Sequence, residues 1–391
     1  MPEEVKPRIA IMLPIFSRYG GAEQFALRLA GALAQKSYAV DFICARQEAE
    51  APDGVRVLKT GRPCGPRWFK GLFFAFKAEK LRQKGNYDCV FTQGKVFKAD
   101  ILREGGGPLR QFWKCTEPSF PAGFGRSWKK FTRLLSPYNW FTLYIEKKLY
   151  RGQTKITANS HFVRDLILAD CPHLHAEDIE IIYNRPDLSL YRAPDAQERR
   201  AARAGLGIPP QVTAIGFASG SFQRKGLAPL IRALRFLPEK CHLYIASGRN
   251  PGAYRKLAAT LGVGGRVHFA GRVEDMPVFY RAMDVYAQPT FCDACSNAVL
   301  EAAASGLPVI GSRLDGSAYF LPEGSILDDP GNSESIAECV RKHIAASADG
   351  TGAGAESFAC RPGDVPAGLA AWVELIERYI AAKKTRRNKP E

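Results

Sequence analysis

At 391 residues, with 46% hydrophobic and 24% charged side chains, the chain has an ordinary folded composition and is long for one hydrophobic core, so two domains are expected. Its formal charge of +16 calls for an anionic counterpart, and nucleic acid, a membrane surface or a phosphorylated substrate would each serve. No apolar run approaches the ~20 residues that cross a bilayer, and Met1–Arg8 lacks the basic-then-apolar order of a signal peptide, so a cytoplasmic location is the expectation.

In chain order, Arg8–Pro14 predicts a strand, Tyr19-Gly20-Gly21 a turn and Ala22–Ala34 a helix whose Phe25, Leu29 and Leu33 share one face. Apolar runs at Val40–Cys44, Val55–Leu58, Cys89–Phe91 and Lys155–Ala158 alternate with helical stretches, the pattern of a parallel sheet covered by helices. Between Gly107 and Lys155 stand ten Lys or Arg against two acids, interleaved with aromatics such as Trp113, Trp128, Phe131 and Trp140. Arg67–Lys77 has the same character. Such a mixture suits an anionic membrane surface, with rings at headgroup level; the alternative is that the rings fill a core and the cations solvate its outside. No nucleic-acid-reading motif accompanies the charge, so no nucleic-acid partner is expected.

After a charge-dense stretch at Arg192–Ala204 the pattern restarts. Strands are predicted at Val212–Ala218, His242–Ala246, Arg266–Phe269, Val285–Gln288 and Pro308–Gly311, with helices at Leu227–Phe236, Pro251–Leu261, Met276–Met283, Asn297–Ser305 and Ser333–Ala346. Residues 349–365 look like a surface loop, in which Gly350–Gly354 is a weak dinucleotide signal because no strand precedes it. Pro366–Lys384 resumes as a helix ending in a basic tail. The expected fold class is α/β: two Rossmann-like doubly wound domains, residues 1–190 and 191–365, facing a central cleft, with 366–391 crossing back to the first.

Two stretches of the second half carry chemistry. Gly220-Ser-Phe-Gln-Arg-Lys-Gly226 follows a strand and precedes a helix, which puts Arg224 and Lys225 at a sheet's carboxyl edge as an anion site; a solvated charged turn is the alternative. In Cys292–Ser312, Ser296 is a good N-cap and Gly306 a good stop for one short helix. Asp293 then lies just before that helix and Glu301 just over one turn inside it. The free N–H groups around Asn297 and Ala298 form an anion site between two carboxylates able to accept from hydroxyls, and Cys295 and Ser296 beside them are further donor-binding candidates. A nucleoside diphosphate sugar offers that combination of phosphates and flanking hydroxyls. The pair Cys292 and Cys295 also permits a metal or thiol site, although zinc would need two further ligands that the neighbouring sequence does not offer. The remaining cysteines are scattered and expected to be reduced.

The segments RYGGAEQFALRLAGAL, ITANSHFVRDLI, IIYNRPDLSLY, GSFQRKGLAPLIRAL and VHFAGRVEDMPVFYRAMDVYAQPTFCDACSNAVLEAAASGLPVI, in that order over nearly the whole chain, resemble the GT-B retaining glycosyltransferases of family 4. Within that family the look is nearest to the lipopolysaccharide-core glucosyltransferases that act on inner-core heptose. The resemblance implies an acceptor-binding first domain and a nucleotide-sugar-binding second domain. It further implies a UDP-linked donor, UDP-glucose or a near relative, a lipid-linked saccharide acceptor, no metal or other cofactor, and peripheral work on the cytoplasmic face of the inner membrane. Asp293 and Glu301 match the family's paired acids, the first on the donor sugar and the second on the ribose. Arg224 and Lys225 match the basic pair on the diphosphate, and Gly20 and Gly21 the loop near phosphate and acceptor. Asp stands where the first Glu is more usual, Asn184-Arg-Pro-Asp187 lacks the glycine of the common NGVD, and a familiar His is missing at Thr92-Gln93-Gly94-Lys95. Asp100 is the candidate acceptor-side acid in its place, with a solvated loop carboxylate as the alternative. A sugar-nucleotide epimerase of the same fold is the alternative chemistry.

Overall fold

Short apolar runs separated by helical stretches pair in parallel through crossovers. In the computed structural model, which describes residues 6–18, 20–120, 123–348 and 367–387, they do so in two units. The first comprises the described residues up to 111, 123–183 and 367–387; the second comprises 112–120 and 184–348.

The main sheet of the first unit has seven parallel strands: β1 (Arg8–Met12), β2 (Ala39–Cys44), β3 (Val55–Lys59), β4 (Cys89–Thr92), β5 (Ile101–Glu104), β6 (Lys155–Ala158) and β7 (Ile179–Ile181), in the order β3-β2-β1-β4-β5-β6-β7. Alternation along each strand sends side chains to opposite faces. Ile9 and Ile11 pack with Ala26, Leu29 and Leu33 of helix Gly21–Gln35 and with Trp372 of helix Gly368–Arg387, while Ala10 and Met12 pack with Phe74 and Ala78 of helix Arg67–Lys84. Phe25, Phe91 and Trp372 meet edge-on or tilted, with the Phe91–Trp372 centroids 5.7 Å apart.

The second unit holds β8 (Thr213–Ala218), β9 (Cys241–Ala246), β10 (Val267–Gly271), β11 (Val285–Ala287), β12 (Val309–Ser312) and β13 (Ile326–Leu327), in the order β10-β9-β8-β11-β12-β13. Both sheets are doubly wound: each starts in its middle, builds outward to one side, then returns to build the other. The strand order reverses between β1 and β4 in the first and between β8 and β11 in the second, and loops leaving the carboxyl ends of those strands are where this fold holds ligands.

Several sequence expectations are adjusted. The unit boundary falls at Tyr183/Asn184, earlier than Leu190, and the segment 112–120 groups with the second unit, where Ser119 O accepts from Gln223 Nε2 at 3.0 Å. Strand β5 escaped the sequence pattern because it carries Arg103 and Glu104; Arg103 is nonetheless buried, its guanidinium 4.1 Å from the Phe25 ring centroid and bonded to Gln93 Oε1. The stretch Arg192–Ala204 is, as its sequence suggests, a linker running into a short helix, Ala196–Gly205, capped by Asp195 and Glu198. The predicted loop at 349–365, with Gly350–Gly354, and the last residues of the basic tail lie outside the described residues.

Four aromatic rings of the basic segment do not fill a core, whereas Phe112, Trp113, Tyr138 and Phe141 are half-buried. Trp128, Phe131, Trp140 and Tyr144 are 55%, 50%, 59% and 58% exposed, on the helices Phe124–Leu134 and Pro137–Tyr150, and Phe76 on the helix before them is 55% exposed. Among the described residues no helix is long and apolar enough to cross a membrane.

Candidate functional site

The second unit assembles its candidate site from the two loops at its strand-order reversal. After β8 the chain runs to Gly226, which adopts φ +76°; a Cβ there would sit 1.9 Å from Pro289 O, so only glycine lets the loop after β11 lie across it. That crossing is fixed by Phe291 N and Thr290 Oγ1, which both donate to Arg224 O, at 2.8 and 3.1 Å. It brings the adjacent cations Arg224 and Lys225 onto Asp293.

Arg224 Nη1 donates to Asp293 Oδ2 at 3.1 Å and to Cys292 O at 2.8 Å. Lys225 Nζ makes an ion pair with the same Asp293 oxygen and donates to Ser296 Oγ at 2.9 Å. In the amide orientation that satisfies every donor, Gln288 Oε1 accepts from Lys225 Nζ at 2.8 Å and from Ser296 Oγ at 2.6 Å, and its NH2 donates to Ala218 O and Tyr286 Oη. Burial pushes the Asp293 carboxyl up, but the Lys225 and Arg224 charges outweigh it and hold the group below the ordinary range, hence ionised.

Helix Asn297–Ala304 starts at Ser296 and stops at Gly306, which has φ +77°. Ser296 occupies the N-cap position but does not cap: its hydroxyl is taken by Lys225 and Gln288. The first-turn N–H groups at Asn297 and Ala298 therefore receive no side-chain cap, and the positive end of the helix faces the same loops as the two cations. Cys295 N donates to Asp293 and the Cys295 side chain is buried. Asn297 Oδ1 accepts from Asn184 Nδ2 at 2.9 Å, so the first residue of the NRPD motif reaches the helix start.

Glu301 lies inside the helix with Oε2 accepting from Tyr280 Oη at 3.0 Å. Burial raises its carboxyl to about 7, against the opposing effect of that hydrogen bond. Two cations, an uncapped helix start and two carboxyls at either side can hold a diphosphate between hydroxyl-bearing groups.

The other sequence candidates lie in the first unit. Gly20 has φ +94° and is the N-cap of helix Gly21–Gln35, nothing lies within 4 Å of a Cβ built on Gly21, and both lie at the carboxyl edge of that sheet, after β1. Gln93, where the family's His is missing, bridges to them through Nε2 and Ala22 O at 3.1 Å. Asp100 is corrected. It precedes β5, at the amino edge of the sheet, where its carboxylate accepts from Val90 N, Tyr379 Oη and Lys383 Nζ, at 2.8, 2.8 and 3.3 Å, and so anchors helix Gly368–Arg387.

The cysteines Cys292 and Cys295 are both buried, and among the described residues no group of three His, Cys, Asp or Glu is gathered as a metal set. Cys292 instead meets Cys115, whose hydrogen bond, with burial, pushes the Cys292 thiol far above its ordinary value. Nothing in the spacing of Cys115 and Cys292 announces that contact. The histidines, which the sequence scatters, include one pair: His242 Nδ1 and His268 Nε2 are 3.0 Å apart near the amino ends of β9 and β10, away from the site loops.

Comparison with known proteins supplies the class first. The fold matches a crystal structure of WaaG, a glycosyltransferase involved in lipopolysaccharide biosynthesis, with TM-score 0.78 and 20% identity over 96% of this chain and 99% of that one. It also matches Anabaena Alr3699/HepE in complex with UDP-glucose, with TM-score 0.71 and 17% identity over 96% and 99%. This is the GT-B fold. The model described as Glycosyltransferase Family 4 matches residues 19–190 and that described as Glycosyl transferases group 1 matches residues 209–346; the chain belongs to this family of glycosyltransferases. Among curated relatives, the lipopolysaccharide core biosynthesis glycosyltransferase LpsE of Rhizobium meliloti is 32% identical over 37% of this chain, and the match spans 43% of that relative's length. A D-inositol 3-phosphate glycosyltransferase of Xylanimonas cellulosilytica is 29% identical over 81% of this chain and 82% of that protein.

Proposed function

We propose that the protein is a retaining glycosyltransferase that moves a sugar from a UDP-sugar, UDP-glucose or a near relative, to a hydroxyl of a lipid-linked saccharide of the lipopolysaccharide-core kind. The observation that carries this is the convergence of Arg224, Lys225 and the uncapped helix start on Asp293 at the strand-order reversal, with Glu301 one turn further along. UDP-glucose bound by the HepE neighbour and the lipopolysaccharide role of the LpsE relative support the donor and acceptor classes.

On this account Glu301 accepts from the ribose hydroxyls and Asp293 from the donor sugar, while Cys295 to Ala298 present backbone to the diphosphate. Arg224, Lys225 and the helix start stabilise the charge that develops as the bond between anomeric carbon and phosphate oxygen breaks, so the reaction needs no metal. The acceptor oxygen forms its bond on the face the phosphate leaves, and its proton passes to the departing phosphate oxygen. Gly20 and Gly21 present a side-chain-free edge for ligand in the first unit. The exposed rings and cations of the helices around Trp128 and Trp140 rest on the anionic cytoplasmic face of the inner membrane.

A donor panel tests the reading. Calorimetric titration with UDP-glucose, UDP-galactose, UDP-GlcNAc and GDP-mannose should give binding to a UDP-sugar and weaker or no binding to GDP-mannose. Binding to none of the four, or epimerised sugar nucleotide released without acceptor, would refute it.

A further inference from the structure

Behind Asp293 stands a second carboxyl that no sequence motif marks. Asp293 and Asp315 oppose one another in an isolated parallel bridge, with Asp293 N donating to Leu314 O at 2.9 Å and Gly316 N to Asp293 O at 3.0 Å. Asp315 is 2% exposed. Its Oδ1 is saturated, accepting from Ser296 N at 3.1 Å, Ser317 N at 2.9 Å and Ser317 Oγ at 2.6 Å. Its Oδ2 is equally buried and has no hydrogen-bond partner among the described residues. A buried carboxylate oxygen left unpaired is costly when charged and far less so when it carries a proton.

The charges around it are few. The Asp293 carboxylate on the opposing strand disfavours ionisation, Lys225 from the loop after β8 favours it, and Tyr286 of β11 faces it as a neutral phenol. Arg224 is engaged by Asp293 and Cys292 O. With Asp293 and Asp315 both ionised, the four groups sum to zero. A nucleoside diphosphate brings two negative charges and draws Arg224 and Lys225 toward itself, which removes from the carboxyl pair the cations that hold it ionised.

We infer that Asp315 is the proton acceptor of the donor site, taking one proton from water onto the carboxyl pair when a diphosphate engages Arg224 and Lys225, and that it thereby positions Asp293 and the start of helix Asn297–Ala304 through its bond to Ser296 N. This rests on the donor site proposed above. Burial, with the Asp293 charge, already raises the Asp315 carboxyl to about 6 before any ligand arrives. Uptake is therefore absent near pH 5, where Asp315 is protonated in both states, and present between pH 7 and 8, where only the bound state holds the proton.

Calorimetry with UDP-glucose, whose diphosphate does not titrate in this range, reads the uptake directly when repeated at pH 7.5 in buffers of different ionisation enthalpy. The native protein should take up close to one proton more than Asp315→Asn, which keeps an acceptor oxygen for Ser296 N and Ser317. The difference between the two in pH dependence of Kd between pH 6.5 and 8 should approach about tenfold per pH unit. Ser317→Ala removes one bond to the ionised form and should move the uptake to higher pH, a shift that a merely structural Asp315 would not produce. Equal uptake in native protein and Asp315→Asn, with binding intact in both, overturns the inference alone. If UDP-glucose and the other three nucleotide sugars bind neither protein, the donor site itself is refuted and the inference with it.

Discussion

Glu301 is a carboxyl raised by burial from an ordinary 4.5 to about 7. Between those values the folded protein binds the proton and the unfolded chain does not, so Glu301 costs stability as pH rises through that window. Glu301→Gln should therefore melt higher than the native protein at pH 8 by an amount equivalent to about 3 kcal/mol, and show no advantage near pH 4, as thermal denaturation across pH would reveal. Gly226→Ala places a methyl into Pro289 O at positive φ and should cost roughly 3 kcal/mol or more, with a clear drop in Tm; an unchanged Tm would mean the loops do not cross as described. Asp293, Glu301, Arg224 and Lys225 were legible because each sits at a fixed offset from a strand end or helix cap. Asp315 and Cys115 were not, since a β-bridge and a side-chain contact bring them to the site from distant sequence. Asp100 misled because a carboxylate near Gly105–Gly107 looks like a loop acid, whereas the strand beginning at Ile101 puts it at the opposite edge.

Helix Gly368–Arg387 is held on the first unit by Trp372 in the core, by Lys36 with Glu377 at 2.9 Å, and by Lys383 with the Asp100 carboxylate. The Asp100–Lys383 pair is only partly buried, so its worth is limited by solvent. Asp100→Asn should lower stability by about 1 kcal/mol in urea titration and leave turnover near native; a collapse of turnover with stability intact would restore Asp100 as an acceptor-side acid. The helices carrying Trp128, Phe131 and Trp140 make a separate prediction. In flotation at low salt the native protein should rise with vesicles containing phosphatidylglycerol, and a Trp128→Ser, Phe131→Ser, Trp140→Ser variant should remain below. Failure of the native protein to float would contradict the membrane role. These helices read correctly as basic and aromatic, but composition alone could not say whether the rings faced inward. Strand β5 was unreadable for the converse reason: Arg103 is buried by stacking on Phe25 and bonding to Gln93, partners that a local pattern does not contain.

At the scale of the molecule, both doubly wound sheets follow from the alternation of short apolar runs with helices, since parallel pairing and right-handed crossovers leave few other arrangements. Segment 112–120 is the exception: its place in the second unit depends on contacts with Gln223 and Cys292, not on its neighbours in sequence. The central claim joins that fold to one reaction. It is tested most directly by incubating the protein with radiolabelled UDP-glucose and truncated lipopolysaccharide-core acceptor, then determining the anomeric configuration of the product. The account predicts labelled acceptor with the donor's configuration retained, and loss of at least about a hundredfold in rate in Glu301→Ala. Inverted product, or near-native transfer by Glu301→Ala, would contradict it.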